Sequence, residues 1–133
     1  VSEKKKRKKQ RMRGVERIAL ERNRQVSEEN YSTLSDIEHN SHGELGNAAA
    51  CYASGRFVFK LGIQPATTVG PNGKSDIGQV IFSEMWPWDR VYDKREKHSR
   101  IRQLEIAGAL CAAEIDRLLA IKKGEREHEP DGG

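Results

Sequence analysis

IRQLEIAGALCAAEIDRLLAIKK, residues 101–123, reads as about six turns of helix with nothing in it that would break one. With Glu114 set at zero and each residue advancing 100°, Leu118, Cys111, Leu104, Ile115, Gly108 and Leu119 fall between roughly 40° and 140°. Leu110, Ile121 and Ala107 extend that apolar arc around the other side of Glu114, while Glu105, Asp116 and Arg102 lie outside it. Glu114 is therefore expected inside the buried stripe, where a carboxylate is rare unless it is paired or holds a metal. Replacing it by leucine is expected to stabilise the fold. The run AGALCAA has side chains small enough for another helix to approach closely, which makes this helix the inner wall of a bundle.

The expected fold is all-α, a bundle of three to four helices with a β-prone hairpin or loop inserted at about residues 56–82. At 133 residues there is room for a single core. The expected division is a basic tail over 1–13, a helical domain over 14–123 and a polar tail over 124–133. No stretch has the length or apolarity of a membrane span or a signal peptide, so no membrane partner is expected. Cys51 and Cys111 sit in small-residue helical contexts and are read as buried free thiols of a reducing cytoplasm.

The net charge of +4 conceals an uneven distribution. Residues 1–13 carry eight Lys or Arg against Glu3, which leaves the rest of the chain at −3. The basicity between Lys4 and Arg13 is open to two readings, non-specific contact with nucleic acid or simple solvation.

From Met12 to Asn30 the pattern is helical, with Met12, Val15, Ile18, Ala19 and Val26 on one arc that also includes Arg22 and Glu29. Glu21 and Gln25 border it. Residues 31–42 are turn-rich, and a second helix runs from Gly43 to about Ser54. Glu44 falls on its apolar side, although Ser41 to Glu44 also fits a capping box in which Glu44 reaches back to the Ser41 amide. His39 and His42 have the spacing of a metal pair, but solvated loop histidines are commoner. Gly73-Lys74-Ser75 is not a phosphate loop, because Thr68 stands where the first glycine is needed. Trp86-Pro87-Trp88-Asp89 gives a rigid aromatic turn, either a plug over the bundle end or a base-stacking surface.

Taken in order, Glu21-Arg22, Arg24-Gln25, Glu29, Asp36, His39, Gly43-Glu44-Leu45, Ala48-Ala49, Tyr52-Ala53, WPWD at 86–89 and AGALCAAEIDRL at 107–118 resemble a family of small phage and prophage proteins. The family is described as MazG-like or dATP/dGTP diphosphohydrolase-type, and the resemblance covers about residues 15–120 without the 56–82 insertion. It implies an all-α nucleoside triphosphate pyrophosphatase fold, magnesium held on acids of adjacent helices, and cleavage of a nucleotide to its monophosphate and pyrophosphate. It also implies a phage or prophage protein acting in the bacterial cytoplasm. The family's EExxE and ExxD signatures are not intact: Ser32 stands where a third acid belongs after Glu28-Glu29, and Glu114-Ile115-Asp116 is one residue short.

Cleaving a phosphoanhydride needs cations on the phosphate oxygens, an oriented water and positive charge near the leaving group. Helical phase puts Glu29, Glu44 and Glu114 on inward faces, and these with His39 are the expected Mg²⁺ ligands. Glu44, Glu114 and Gln25 are the expected catalytic groups. Arg22, Arg24 and Lys94 are placed on phosphates, and Trp86 and Trp88 on the base. The expected substrate is a purine (d)NTP and the expected assembly a homodimer or higher homo-oligomer. Two other readings stand beside this one: a phage protein that captures a nucleotide without turning it over, and a nucleic-acid-binding accessory protein working through its basic tail.

Overall fold

A computed structural model describes residues 2–30, 32–64 and 79–128, with backbone only at Gln64, Gln79 and 126–128. The turn expected around Thr67 to Gly73, the Gly73-Lys74-Ser75 string, Tyr31 and residues 129–133 lie outside the described residues. The fold is mostly α with an inserted hairpin, as the sequence leads one to expect. In chain order it comprises α1 (Glu3–Arg11), α2 (Gly14–Glu29), α3 (Thr33–His39), α4 (Glu44–Ser54), strands β1 (Phe59–Gln64) and β2 (Gln79–Glu84), and α5 (Arg100–His128). Two single 3-10 turns, Arg90–Tyr92 and Arg95–Lys97, lead from β2 into α5.

Local chemistry sets most of the ends. Ser2 and Ser32 cap α1 and α3 with their hydroxyls. Asn30 closes α2 in the left-handed region at φ 58°, with its amide on the Gln25 carbonyl. The basic segment is a helix in its own right, broken from α2 by extended backbone at Met12 and Arg13. Residues 33–39, read as part of a turn-rich crossing, form a helix instead. α5 continues through Gly124 to His128, past the expected boundary at 123. β1 and β2 pair antiparallel, Phe59 with Glu84, Leu61 with Phe82 and Ile63 with Val80.

α2, α3 and α4 all pack on α5. The α4–α5 contact is made of small side chains, with Ala48, Ala49, Ala109 and Ala113 all buried, so the close approach expected from AGALCAA is realised. Leu45, Tyr52, Trp86, Ile106 and Leu110 fill the space around them. α2 crosses α5 at Gly108, where an added Cβ would lie 2.5 Å from Ile18 Cδ1.

The buried face of α5 shares only Ala107 and Leu110 with the expected arc, and Glu105, expected outside it, is buried. Gln103, Ile106, Ala107, Leu110, Ala113 and Arg117 point inward, whereas Leu104, Cys111, Ile115, Leu118 and Leu119 are exposed. The helix carries apolar residues on both sides, and α4 packs where Ala109 and Ala113 offer the smallest side chains. Cys51 is the buried free thiol expected; Cys111 is free but exposed. α2 likewise buries Glu21, Arg22 and Gln25 and exposes Val15 and Val26.

Candidate functional site

A cavity of about 740 Å³ lies where α2, α3, α4, the Trp86–His98 segment and α5 meet. Its floor is apolar, made by Leu45 and Tyr52 of α4 and Ile106 and Leu110 of α5. Trp86 and Trp88 wall one side, edge to face at 5.4 Å between ring centroids, and Tyr52 meets Trp86 at 5.9 Å. Pro87 fixes the turn between the two indoles. Both indole N–H groups are engaged, Trp86 donating to the Asp89 carbonyl at 3.0 Å and Trp88 to Asn40 Oδ1 at 3.2 Å. Arg95, buried under this wall, stacks its guanidinium 5.7 Å from Trp86 and is held by Asp93.

The opposite wall is charged. Glu21 is buried on α2 and receives Arg24 at 2.8 and 2.9 Å, Gln25 at 3.3 Å and Arg102 of α5 at 2.5 Å. Burial opposes its charge, but the Arg24 and Arg102 guanidiniums outweigh that and hold its carboxyl below the ordinary range. Arg24 also pairs with Glu29 at 3.0 Å and Glu28 at 3.5 Å. Asp36 of α3 is 1% exposed. Its Oδ1 accepts from Asn40 Nδ2 at 3.0 Å, and its Oδ2 has no hydrogen-bond donor, with Arg22 Nη2 4.0 Å away. Burial pushes its pKa up, against the pull of Asn40 and Arg22. His98 is held below its ordinary value of 6.5, by burial first and by Arg102 second, so its ring is neutral at pH 7. Lys94 lines the cavity and is exposed.

Seven of the ten residues expected in the site line this cavity: Arg24, Gln25, Glu29, His39, Trp86, Trp88 and Lys94. Three do not. Arg22 ties α2 to Asp36 and to Asp116 of α5 at 3.6 Å. Glu44 accepts from the His42 amide at 2.7 Å and not from the Ser41 amide of the expected box, and α4 starts at a left-handed Gly43 with no side-chain cap bond. Glu114 accepts from Arg117 Nε at 2.8 Å. The expected meeting of Glu29, Glu44 and Glu114 is therefore not what the structure holds. Each is tied to a nearer partner: an arginine on its own helix for Glu29 and Glu114, a backbone amide for Glu44. His39 Nε2 lies 3.8 Å from Glu38. Among the described residues no three His, Cys, Asp or Glu side chains are arranged to hold a metal ion. The four expected ligands do not fit a shared Mg²⁺ as they stand.

Glu21, Asp36, Asn40, His98 and Arg102 belong to the cavity although the sequence reading left them out of the site. Glu21 and Asp36 stand in the resembling motif and were legible there. Arg102 was not, because its partner is on α2 and its place follows from how α2 crosses α5. Compared with known proteins, the chain matches no family model, no curated protein and no solved structure.

Proposed function

We propose that this cavity binds a purine nucleoside triphosphate, taken up as its magnesium complex, with the base against Trp86 and Trp88 and the phosphates toward Lys94 and Arg102. The observation that carries the reading is that an aromatic wall and three cations, Arg24, Lys94 and Arg102, line one cavity, the cations standing among Glu21, Glu29, Asp36 and Asp89. Its volume is that of small-ligand sites in general. Arg24 is occupied by three carboxylates and serves to fix the wall, whereas Arg102 uses one nitrogen on Glu21 and another on Glu105 and keeps donors for a ligand. The neutral His98 ring adds a hydrogen-bonding group without charge.

Capture without turnover fits best, because Glu29, Glu44 and Glu114 each have a nearer partner and do not meet, although Glu114 Oε2 is left without a hydrogen-bond donor. Hydrolysis to monophosphate and pyrophosphate, which the MazG-like resemblance implies, is favoured by Asp36. It is a buried carboxyl at the cavity wall with one oxygen lacking a donor. Incubation with each dNTP and Mg²⁺, followed by chromatography, separates the two. Unchanged nucleotide bound to the protein supports capture, and pyrophosphate release lost in Asp36→Asn supports the hydrolase. Failure of any nucleoside triphosphate to bind sinks both.

The protein is further proposed to act as a homodimer. α5 buries one arc against α2, α3 and α4 and exposes Ile101, Leu104, Ile115, Leu118 and Leu119 elsewhere. Beyond the α2 crossing at Gly108, the exposed Cys111, Ile115 and Leu118 recur at spacings of four and three, the seam of a paired helix. Among the described residues no helix is long and apolar enough to cross a membrane. The exposed apolar face is thus read as a protein interface.

A further inference from the structure

We propose that α1 is a binding element for double-stranded DNA, a function separate from the nucleotide cavity. At 100° per residue, Lys4, Arg7, Lys8 and Arg11 fall within an arc of roughly 100° and span about 10 Å of helix. All four are exposed, and among the described residues none pairs with a carboxylate. Lys9 lies roughly 150° from the centre of that stripe, on the opposite side of the helix. It is Lys9 that faces the body, its Nζ 3.5 Å from the buried Glu105 of α5. Glu105 also takes Arg17 at 3.2 Å, and Arg17 Nε donates to the Met12 carbonyl at 3.1 Å, which pins the joint between α1 and α2. The helix is thus held by one cation with the other cations directed outward.

Like charges three and four apart repel along the stripe, so a polyanion stabilises this helix where water does not. Outside residues 1–13 the chain carries −3, so attraction for a polyanion is confined to this end of the molecule. α1 has no apolar residue between Glu3 and Arg11, which denies it the buried face that a membrane-surface helix needs. Lys5 and Lys6 add charge on its other flanks, suiting a groove walled by phosphates on both sides. The major groove of B-form DNA admits a helix, whereas that of an A-form RNA duplex is too narrow. Binding would be through phosphates and blind to sequence.

Fluorescence anisotropy of the full chain on a labelled DNA duplex, between 50 and 200 mM salt, tests this. Four phosphate contacts give a slope of about −3.6 in log K against log salt, so binding is about 150-fold weaker at the higher salt. Lys4→Gln/Arg7→Gln/Lys8→Gln/Arg11→Gln is expected to at least halve the slope with unchanged helix content by circular dichroism. Lys4→Arg/Lys8→Arg, which keeps the charge, is expected to bind within about twofold of the parent. The proposal is overturned if the parent shows no DNA binding at the lower salt or if the quadruple variant keeps the parent's slope. It is equally overturned if duplex RNA or phosphatidylserine vesicles bind more tightly than DNA.

Discussion

Glu114 stands three residues before Arg117, and that spacing reverses what its apolar surroundings suggest. Arg117 is 6% exposed and has Glu114 as its acceptor. Glu114→Leu therefore removes the hydrogen-bond acceptor of a buried guanidinium and should cost about 3 kcal/mol, read as a lower Tm. Glu114→Leu/Arg117→Leu should recover most of that loss, since removing both partners is far cheaper than removing one. A single variant as stable as the parent would show the pair to be unimportant. The Glu114–Arg117 spacing was legible in the sequence, whereas the Glu21–Arg102 bond joins two helices and needed their crossing to be known. His98 makes a pH-dependent contribution of determined sign. Its folded pKa lies below the unfolded value, so the stabilisation is complete above about pH 6.5 and is lost as pH falls through that value toward the folded pKa. In His98→Gln that part of the acid sensitivity should vanish from a series of melting curves; an unchanged series would place the effect in other groups.

α5 shows what periodicity specifies and what it leaves open. That these residues form one long helix, and that its small side chains admit a neighbour, follows from the sequence alone. Which arc faces the core does not, because Leu104, Ile115 and Leu118 on one side are as apolar as Ile106, Ala107 and Leu110 on the other. The choice is made by α4, whose Ala48 and Ala49 need an equally small surface, and by α2, whose Ile18 fits only over Gly108. Gly108→Val should force Ile18 aside and cost about 1–3 kcal/mol. Adding Ile18→Ala should return part of it, and if the double change is merely additive the two side chains do not meet there. The hairpin was read correctly in kind. Its pairing places Phe59, Leu61, Ile63, Val80 and Phe82 on one exposed face, opposite Lys60 and Ser83. A two-stranded ribbon of this kind is only marginally stable alone in water.

At the scale of the whole molecule, one side holds a cavity and another an uncovered apolar seam. Ile115→Glu/Leu118→Glu should convert a dimer to a monomer in sedimentation velocity without unfolding it, since both side chains are exposed; a monomeric parent would refute the seam. The cavity was legible in part. Its aromatic wall and Lys94 could be named from residue type and order. Its acids could not be sorted, because helical phase says which way a carboxylate points and not which arginine reaches it first. The most direct measurement is titration calorimetry of the purified chain with a purine dNTP and Mg²⁺, beside Trp88→Ala and Lys94→Ala. The expected result is saturable binding, weakened about tenfold by each change, in line with the loss of a stacking surface or of one phosphate contact. Heat of dilution alone with the parent, or binding that neither change weakens, would contradict the assignment of this cavity to a nucleotide.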